Sequence, residues 1–393
     1  MKLRDWIYAL GAAIGLLALA CAMAFLLLMG LSGGASGAMA ALKYAAGLGV
    51  IRRYYVAEVE PAELTDAALA AAVDSLGDRW SYYMDADAYA LYLDAEANRY
   101  QGIGVTIAKD EDTGGFRILA VTKDGPAFQA GLVPGDIILA VDGVDMTGSE
   151  LAELKAMIQA DFGKEALIAV VHEDATTGEY AVSCREVYTS PVTAELLDSG
   201  VGYIRIKNFR SGASQEAIAA MDSLREQGAE RLIFDVRDNP GGQVSELVEL
   251  LDYLLPEGDI FIRADRRGRE KIETSDGECV SLPMAVVVNA QSYSAAEYFA
   301  AALQEYDWAA VVGEPTTGKA RSQVTAQLAD GSAIHLSRYT YLTPERNDLY
   351  AAGGLIPDVA AELTEEEYAQ FATGWLEPGD DPQIQSAMAA WNA

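Results

Sequence analysis

A long uncharged apolar stretch near the start of the chain places the strongest constraint on its architecture. The stretch runs from Trp6 to Leu31 and follows the basic residues Lys2 and Arg4. Its 26 residues, at a helical rise of about 1.5 Å each, exceed the thickness of a roughly 30 Å hydrocarbon layer. Secretory signals carry a shorter apolar run of about 7–15 residues, so the length favours a retained transmembrane anchor. No second span follows, so everything from about residue 40 is expected on one face of the membrane.

The orientation and processing of this stretch depend on the residues around it. The sequence interpretation places residues 1–5 in the cytoplasm, residues 6–31 in a bacterial-type cell membrane and the remainder outside the cytoplasm. Signal-peptide cleavage after Ala40 is an alternative, because Ala38-Met39-Ala40 fits a small-residue cleavage site. Basic residues also lie beyond the stretch and weaken the charge asymmetry that would fix orientation: Lys43, Arg52 and Arg53.

The charge balance excludes some classes of partner. The chain has 393 residues, which predicts two or three domains, and its 28 Lys and Arg against 59 Asp and Glu give a formal net charge of −31. A surface this acidic repels nucleic acid and anionic headgroups, so neither is expected as a ligand. A well-solvated acidic surface is also common, so the charge alone does not identify a substrate.

Histidine and cysteine are too sparse to predict a metal site. His172 and His335 both lie in strand-like runs, without a second His or Cys at ligand spacing. If the chain is a hydrolase, its base is therefore not expected to be histidine. Cys21 lies in the apolar stretch, which leaves a Cys184–Cys279 bridge as the one available pairing, between two predicted domains.

The spacing of apolar residues divides the rest of the chain into regions. Residues 40–98 repeat apolar and alanine positions at helical spacing. Residues 99–186 contain short β runs, turn signals and two short helices, which predicts a compact α+β module. Strands and helices alternate over residues 187–363, which favours a layered sheet with helices on its faces. Residues 364–393 form an acidic tail with a short helix-like end.

Gly102, Ile103, Gly104 and Val105 open a β run in the second of these regions. Glycines at a strand start allow backbone N–H groups to converge on an anion such as a peptide carboxylate. The following strand can then accept an extended peptide as an additional strand. An ordinary glycine-rich turn is the alternative interpretation. Together with DGPAFQAGLVPGDIILAVDG, which follows, the region resembles a PDZ domain.

Two strand–helix junctions in the third region carry residues suited to acyl transfer. RLIFDVRDNPGGQVSEL places Gly241 and Gly242 after a buried strand, where their N–H groups can face a developing oxyanion. MAVVVNAQSYSAAEYFAAAL places Ser292 and Ser294 at the start of a helix, which favours negative charge. A tight βα turn is the alternative for the glycines, and helix capping is the alternative for either serine.

GEPTTGKARSQ nearly matches a phosphate-binding P-loop. Gly313, Gly318 and Lys319 have the required spacing, but Ala320 stands where Ser or Thr must hold magnesium. A β-like run rather than a helix follows. A nucleotide-binding protein is therefore a minor alternative, and an ordinary solvated turn lysine is another.

The combination and order of these motifs resemble the C-terminal processing peptidases, the tail-specific serine proteases of family S41. The resemblance extends from about residue 44 to the end. Members pair a Ser with a Lys 25 positions later and a Gln 4 positions beyond, and Ser294, Lys319 and Gln323 match this spacing. Ser292 leads instead to Thr317, which cannot act as a base, so the spacing selects Ser294.

The resemblance implies a mechanism without a metal or an organic cofactor. Ser294 is the expected nucleophile, Lys319 the general base and Gln323 the residue that orients the lysine amine. The ordinary lysine pKa of about 10.4 is too high for a base, and burial in an apolar site lowers such a pKa. The Ala295 N–H and one N–H of the glycine pair at 241–242 are expected to form the oxyanion hole. A peptidase that has lost activity and retains only PDZ-type binding is the alternative.

The expected fold is an α+β multidomain protein. It comprises the N-terminal transmembrane helix, the helical segment over residues 40–98, a PDZ-like domain over 99–186, a layered α/β peptidase core with a mixed sheet over 187–363, and the tail. The resemblance implies that the PDZ-like domain captures the substrate C-terminus and either delivers it to the site or gates the site, with a regulatory partner acting on the domain. It also implies a homodimer formed through the helical segment and the tail. Tyr293, Gln291 and Asp238 depart from the residues usual in the family.

Overall fold

The computed structural model describes residues 3–160, 162–198 and 200–391. The chain forms two compact units, Met1–Tyr83 and Met84–Ala393. Part of the predicted cytoplasmic segment, residues 1–2, and the last residues of the predicted tail, 392–393, lie outside the described residues.

The first unit is helical, as the periodicity predicts for its larger part. Its helices are α1 (Leu3–Leu31), α2 (Ala35–Tyr54) and α3 (Pro61–Asp74), and β1 (Tyr82–Met84) follows them. Within α1, Ala13–Leu31 is long and apolar enough to cross a membrane, with a mean hydropathy of 2.6 and no buried residue. Helices α2 and α3 are connected by a 3.0 Å hydrogen bond from the Tyr44 hydroxyl to Thr65 Oγ1.

The second unit begins with a helix and a small β module. Its elements are α4 (Ala86–Glu96), β2 (Arg99–Gly102), β3 (Val105–Lys109), β4 (Phe116–Val121), α5 (Pro126–Ala130), β5 (Ile137–Val141), β6 (Val144–Asp145), α6 (Leu151–Ala160), β7 (Glu165–Val171), β8 (Thr177–Ser183) and β9 (Arg185–Tyr188). The main sheet is antiparallel in the order β3-β4-β5-β7-β8, with β6 on β5, while β2 pairs with β9. Alternate strand residues and one face of α6 form a separate apolar core, which includes Phe116, Ile138 and Leu154.

A larger α/β region follows. Its elements are β10 (Val192–Leu197), β11 (Val201–Ile206), α7 (Ala213–Glu226), β12 (Arg231–Asp235), α8 (Val244–Leu254), β13 (Gly258–Ala264), β14 (Glu270–Ser275), β15 (Met284–Val288), α9 (Ala295–Glu305), β16 (Ala309–Gly313), β17 (Arg321–Gln327), β18 (Ala333–Leu342), α10 (Leu349–Ala352), β19 (Val359–Ala360), α11 (Glu365–Thr373) and α12 (Pro382–Ala390). One sheet has the order β10-β11-β12-β15-β16-β19, and β17, β18, β13 and β14 belong to a second, antiparallel sheet.

The first of these sheets is mixed, as predicted, because β10 runs antiparallel to β11 while β11, β12, β15, β16 and β19 run parallel. The carboxyl ends of parallel strands meet at one edge of a sheet, and this is where open α/β sheets place their ligands. The loops after β11, β12, β15 and β16 therefore gather at that edge, and they carry the motifs identified in the sequence.

Helices cover both faces of this sheet. Helices α7, α8 and α9 contribute to the largest apolar core, together with Phe234 and Val286. On the opposite face Ile384 and Ala387 of α12 are fully buried against strand residues such as Ile233 and Val287. The predicted acidic tail therefore contributes an apolar layer to the fold.

Candidate active site

Ser294 lies at the turn between β15 and α9, with a backbone φ of 60°. A non-glycine residue rarely adopts this left-handed conformation, which persists only where the surrounding structure enforces it. Helix α9 begins at the next residue, Ala295, and Ser294 is 9% exposed. The Ser294 side chain makes no capping bond to α9 in the described part of the chain, so helix capping does not explain this serine. Ser292 has a structural role, since its Oγ donates to Val236 O at 2.7 Å.

The glycine loop after β12 packs directly against this turn. A Cβ added to Gly241 would lie 2.7 Å from Ser294 Cβ and 2.8 Å from Ala295 N. A Cβ on Gly242 would lie 2.2 Å from Phe209 O. Contacts this short exclude any larger residue at either position. The structure thus brings the predicted oxyanion-hole residues beside the predicted nucleophile.

The two glycines differ in the hydrogen bonds that they make. The Gly241 N–H donates to Asn239 Oδ1 at 2.8 Å, and Gly241 O accepts from Phe209 N at 2.8 Å. Among the described hydrogen bonds, none uses the Gly242 N–H. The Gly241 N–H is thus already bonded, whereas the Gly242 N–H has no hydrogen-bond partner among the described residues.

Glu297, which is fully buried in the first turn of α9, connects the serine turn to the lysine loop. Its carboxylate accepts hydrogen bonds from Lys319 N at 2.9 Å and Gly318 N at 2.6 Å, from the Thr316 hydroxyl, and from the backbone N–H of Ser294. Burial raises the Glu297 pKa above its ordinary value, and these bonds oppose the rise. No role was predicted for Glu297 from the sequence, although Ser294 and Glu297 have the spacing of a helix capping box.

Tyr341 is a second residue that the sequence analysis missed, and no sequence signal distinguished it from other strand residues. Its hydroxyl donates to the backbone oxygen of Lys319 and is hydrogen-bonded to the Ser294 side chain. Tyr341 is 3% exposed, and burial raises its pKa well above the ordinary value. The Lys319 ammonium nitrogen lies 5.5 Å from the ring centroid of Tyr293, the residue before the serine.

Gln323 and His335 lie on the neighbouring strands β17 and β18. Gln323 Nε2 donates to Arg321 O at 2.9 Å and contacts Ser337 Oγ at 3.4 Å. Its role in orienting the Lys319 amine stays a prediction.

His335 Nδ1 is 2.8 Å from a threonine hydroxyl, and burial together with the charge of Lys319 lowers the His335 pKa to about 4. His335 is therefore a neutral strand residue near pH 7.

His172, the other histidine, lies just after β7 in the smaller β module. Its Nδ1 is 2.6 Å from Asp136 Oδ1, and its Nε2 is 3.1 Å from the Tyr180 hydroxyl. The three side chains connect β5, β7 and β8, which is a structural role.

In the same module Gly102–Val105 joins β2 to β3, with φ of 84° at Gly104, and peptide binding there stays a prediction.

The structure also bears on two alternatives from the sequence. Lys319 is followed by strand β17, whereas a P-loop lysine is followed by a helix. No disulfide joins Cys184 to Cys279, so the bridge considered from the sequence is not formed. No group of three or more His, Cys, Asp or Glu residues suited to a metal ion occurs among the described residues.

Comparisons with known proteins identify the family. Residues 200–361 match the model of peptidase family S41, and residues 117–171 match that of a PDZ domain. The carboxyl-terminal-processing protease of Synechocystis sp. is 34% identical over 293 residues, which cover 73% of this chain and 67% of that protein. The chain belongs to the S41 carboxyl-terminal-processing proteases. This S41 protease is accordingly a serine peptidase, a hydrolase.

Other relatives agree with this assignment. The carboxy-terminal processing protease CtpA of Bacillus subtilis is 28% identical over 323 residues, covering 82% of the S41 protease described here and 68% of CtpA. A solved structure from Bacteroides fragilis, described as an S41 protease, has a TM-score of 0.58. The matched region covers 88% of this chain and 96% of the Bacteroides fragilis chain. At 19% identity, the likeness concerns the fold alone.

Proposed function

We propose that this S41 protease cleaves protein substrates near their C-termini with Ser294 as nucleophile and Lys319 as general base. The observation that carries the proposal is the position of Glu297. Its single buried carboxylate binds the backbone N–H groups of both residues, which holds the serine turn and the lysine loop together. The hydroxyl of Tyr341 makes a second connection between the same two residues.

In the first step Ser294 Oγ attacks the scissile carbonyl carbon while the neutral Lys319 amine accepts the hydroxyl proton. The carbonyl oxygen becomes negatively charged and lies against the N–H groups of Ala295 and Gly242. The tetrahedral intermediate then expels the amine of the C-terminal product, to which Lys319 returns the proton. Water attacks the acyl ester with Lys319 again accepting a proton, and the second product leaves as Ser294 regains its proton.

The proposal requires Lys319 to react as a neutral amine. His335, which burial keeps neutral near pH 7, adds no positive charge near it. Desolvation of a lysine favours its neutral form, which is the form that accepts a proton. In this proposal the side-chain oxygen of Gln323 orients the amine.

The PDZ domain, proposed to span residues 99–186, captures the substrate C-terminus at Gly102–Val105 and gates the catalytic site. Support comes from hydrogen bonds where the chain enters this domain. Asn98 Oδ1 accepts from Asn208 Nδ2 at 2.9 Å, and Glu96 Oε2 accepts from Gln243 Nε2 at 3.2 Å. Gln243 directly follows the oxyanion glycines. A conformational change where the chain enters the PDZ domain would therefore shift these glycines through Gln243. A regulatory partner bound to the PDZ domain would act by this route.

The location and assembly proposals rest on the N-terminal unit and on the family. Helix α1 acts as a single membrane anchor, and the catalytic region lies outside the cytoplasm, with cleavage after Ala40 as the alternative. The helical region over 40–98 and the tail over 364–393 form a homodimer interface. The peptidase core is proposed to span residues 187–363.

The test uses the full chain in detergent micelles and an unfolded protein as substrate. Ser294→Ala and Lys319→Ala are compared with the parent and with Ser223→Ala, an exposed serine on α7. We expect cleavage by the parent and by Ser223→Ala, and at least a 10³-fold loss in both site variants, which act as one catalytic unit. Activity of Lys319→Ala would exclude Lys319 as the base. A parent chain that folds and binds substrate C-termini but does not cleave them would favour a peptidase that has lost activity and retains only PDZ-type binding.

A further inference from the structure

A cavity of about 580 Å³ opens beside the strand that follows Lys319. Four exposed arginines, Arg266, Arg267, Arg269 and Arg338, line it together with Asp265 and apolar residues of the β17–β18 hairpin such as Val324. The chain as a whole has a net charge of −31, so this concentration of positive charge runs against its overall composition.

Three of these arginines have no acidic partner in the part of the chain that the structure describes. Arg269 is neutralised by Asp265, whose Oδ2 lies 2.6 Å from the guanidinium. Within the described residues, no carboxylate forms an ion pair with Arg266, Arg267 or Arg338. Like charges held close together raise the electrostatic free energy of the free protein, and an anion bound among them lowers it.

The position of the cavity relative to the nucleophile limits what can occupy it. Val324 lies five residues after Lys319, which corresponds to at most about 17 Å along an extended strand. Ser337, which also lines the cavity, contacts Gln323. With Lys319 as the base beside Ser294, a substrate in extended conformation therefore reaches the cavity within about five residues of its scissile bond.

We infer that this arginine cavity binds an acidic stretch of the protein substrate, which lies within about five residues of the scissile bond. The inference deepens the proposed protease function and depends on it for the direction of the substrate. Guanidinium groups bind carboxylates with paired, charge-assisted hydrogen bonds, and Asp or Glu side chains supply these carboxylates. The rest of the acidic surface repels such a stretch. The cavity therefore favours substrates whose acidic residues lie at the matching distance from the scissile bond.

Binding can be measured separately from cleavage on the full chain carrying Ser294→Ala. Two fluorescent peptides share one C-terminus and differ in a run of three Asp or three Asn, and fluorescence anisotropy gives their affinities. We expect about tenfold tighter binding of the Asp peptide, and a smaller ratio at high salt. The combined variant Arg266→Gln, Arg267→Gln and Arg338→Gln should bring the ratio to about one.

A charge-matched control separates the cavity from net charge. Lys123→Gln, Lys155→Gln and Arg225→Gln remove three exposed cations from other elements, and the ratio should stay near tenfold. Because both peptides share a C-terminus, effects on the PDZ domain cancel in the ratio. Equal affinities in the parent, or a ratio that survives loss of the cavity arginines, would overturn the inference. An Asp preference in binding without cleavage by the chain with Ser294 intact would overturn the protease function and leave the acidic-peptide site in place.

Discussion

The carboxylate of Glu297 accepts a 2.9 Å hydrogen bond from the backbone N–H of Lys319, and it also binds the backbone N–H of Ser294. The helix that begins after the nucleophile and the loop that carries the lysine are thus positioned by one buried acid. An unpaired donor in this setting costs the full desolvation penalty of its group.

Glu297→Gln should lower activity about 100-fold and destabilise the fold by about 2–4 kcal/mol. A glutamine has one acceptor oxygen, and its NH₂ group would face an N–H donor of the lysine loop. Steady-state proteolysis and thermal unfolding of the full chain measure both effects. Glu305→Gln is the matched control, because Glu305 lies at the other end of α9 and accepts bonds from Thr343, Glu345 and Asn347. Equal activity losses in the two variants would show that Glu297 has no specific role in the catalytic site.

Tyr341→Phe should reduce kcat about tenfold and leave KM unchanged, because only the hydroxyl between Ser294 and Lys319 is lost. Tyr341 thus acts as a positioning residue. Tyr298→Phe removes the other buried hydroxyl of the same aromatic cluster, which donates to Leu342 O at 2.8 Å away from the reacting groups. That variant should lose stability but keep kcat. A kcat in Tyr341→Phe equal to that of the parent would contradict the positioning role.

Gly241→Ala should abolish measurable cleavage, because its Cβ would lie 2.7 Å from Ser294 Cβ and displace the oxyanion hole. Loss of one oxyanion donor alone costs about 10²–10³ in kcat. Gly228→Ala is the control for backbone strain, since Gly228 has a φ of 98° and open space around it. It should lose about 1 kcal/mol of stability and no activity. The acylation rate with a serine-reactive probe measures the difference, and a normal rate in Gly241→Ala would count against this geometry.

Acid should destabilise the fold through His335. Its folded pKa of about 4 lies below the ordinary value of 6.5, so the unfolded chain binds the proton more readily. This contribution to stability is complete above about pH 6.5 and is lost as the pH falls from 6.5 towards 4. Chemical denaturation at several pH values should therefore show a smaller acid loss in His335→Asn than in the parent. An unchanged pH slope would mean that another group carries the effect.

Most of the fold follows from the order of local patterns. Alternating strands and helices over 187–363 predict the layered mixed sheet, because each apolar face must be covered and parallel strands need crossovers. The helical segment and the small β module follow from periodicity in the same way. The apolar packing of the tail was not predicted, since α12 has only a few apolar residues and their burial depends on a sheet formed far away in the sequence.

For the site, the motifs and the chemical character of Ser294, Lys319 and the glycine pair follow from residue type and spacing, which are local properties. Which of these groups meet depends on the packing of distant elements. Glu297 and Tyr341 make contacts across 22 residues to Lys319, and such contacts arise from strand order and helix packing, which no local pattern encodes. The same holds for the arginine cavity, where Arg338 from β18 joins a turn that lies about seventy residues earlier in the chain.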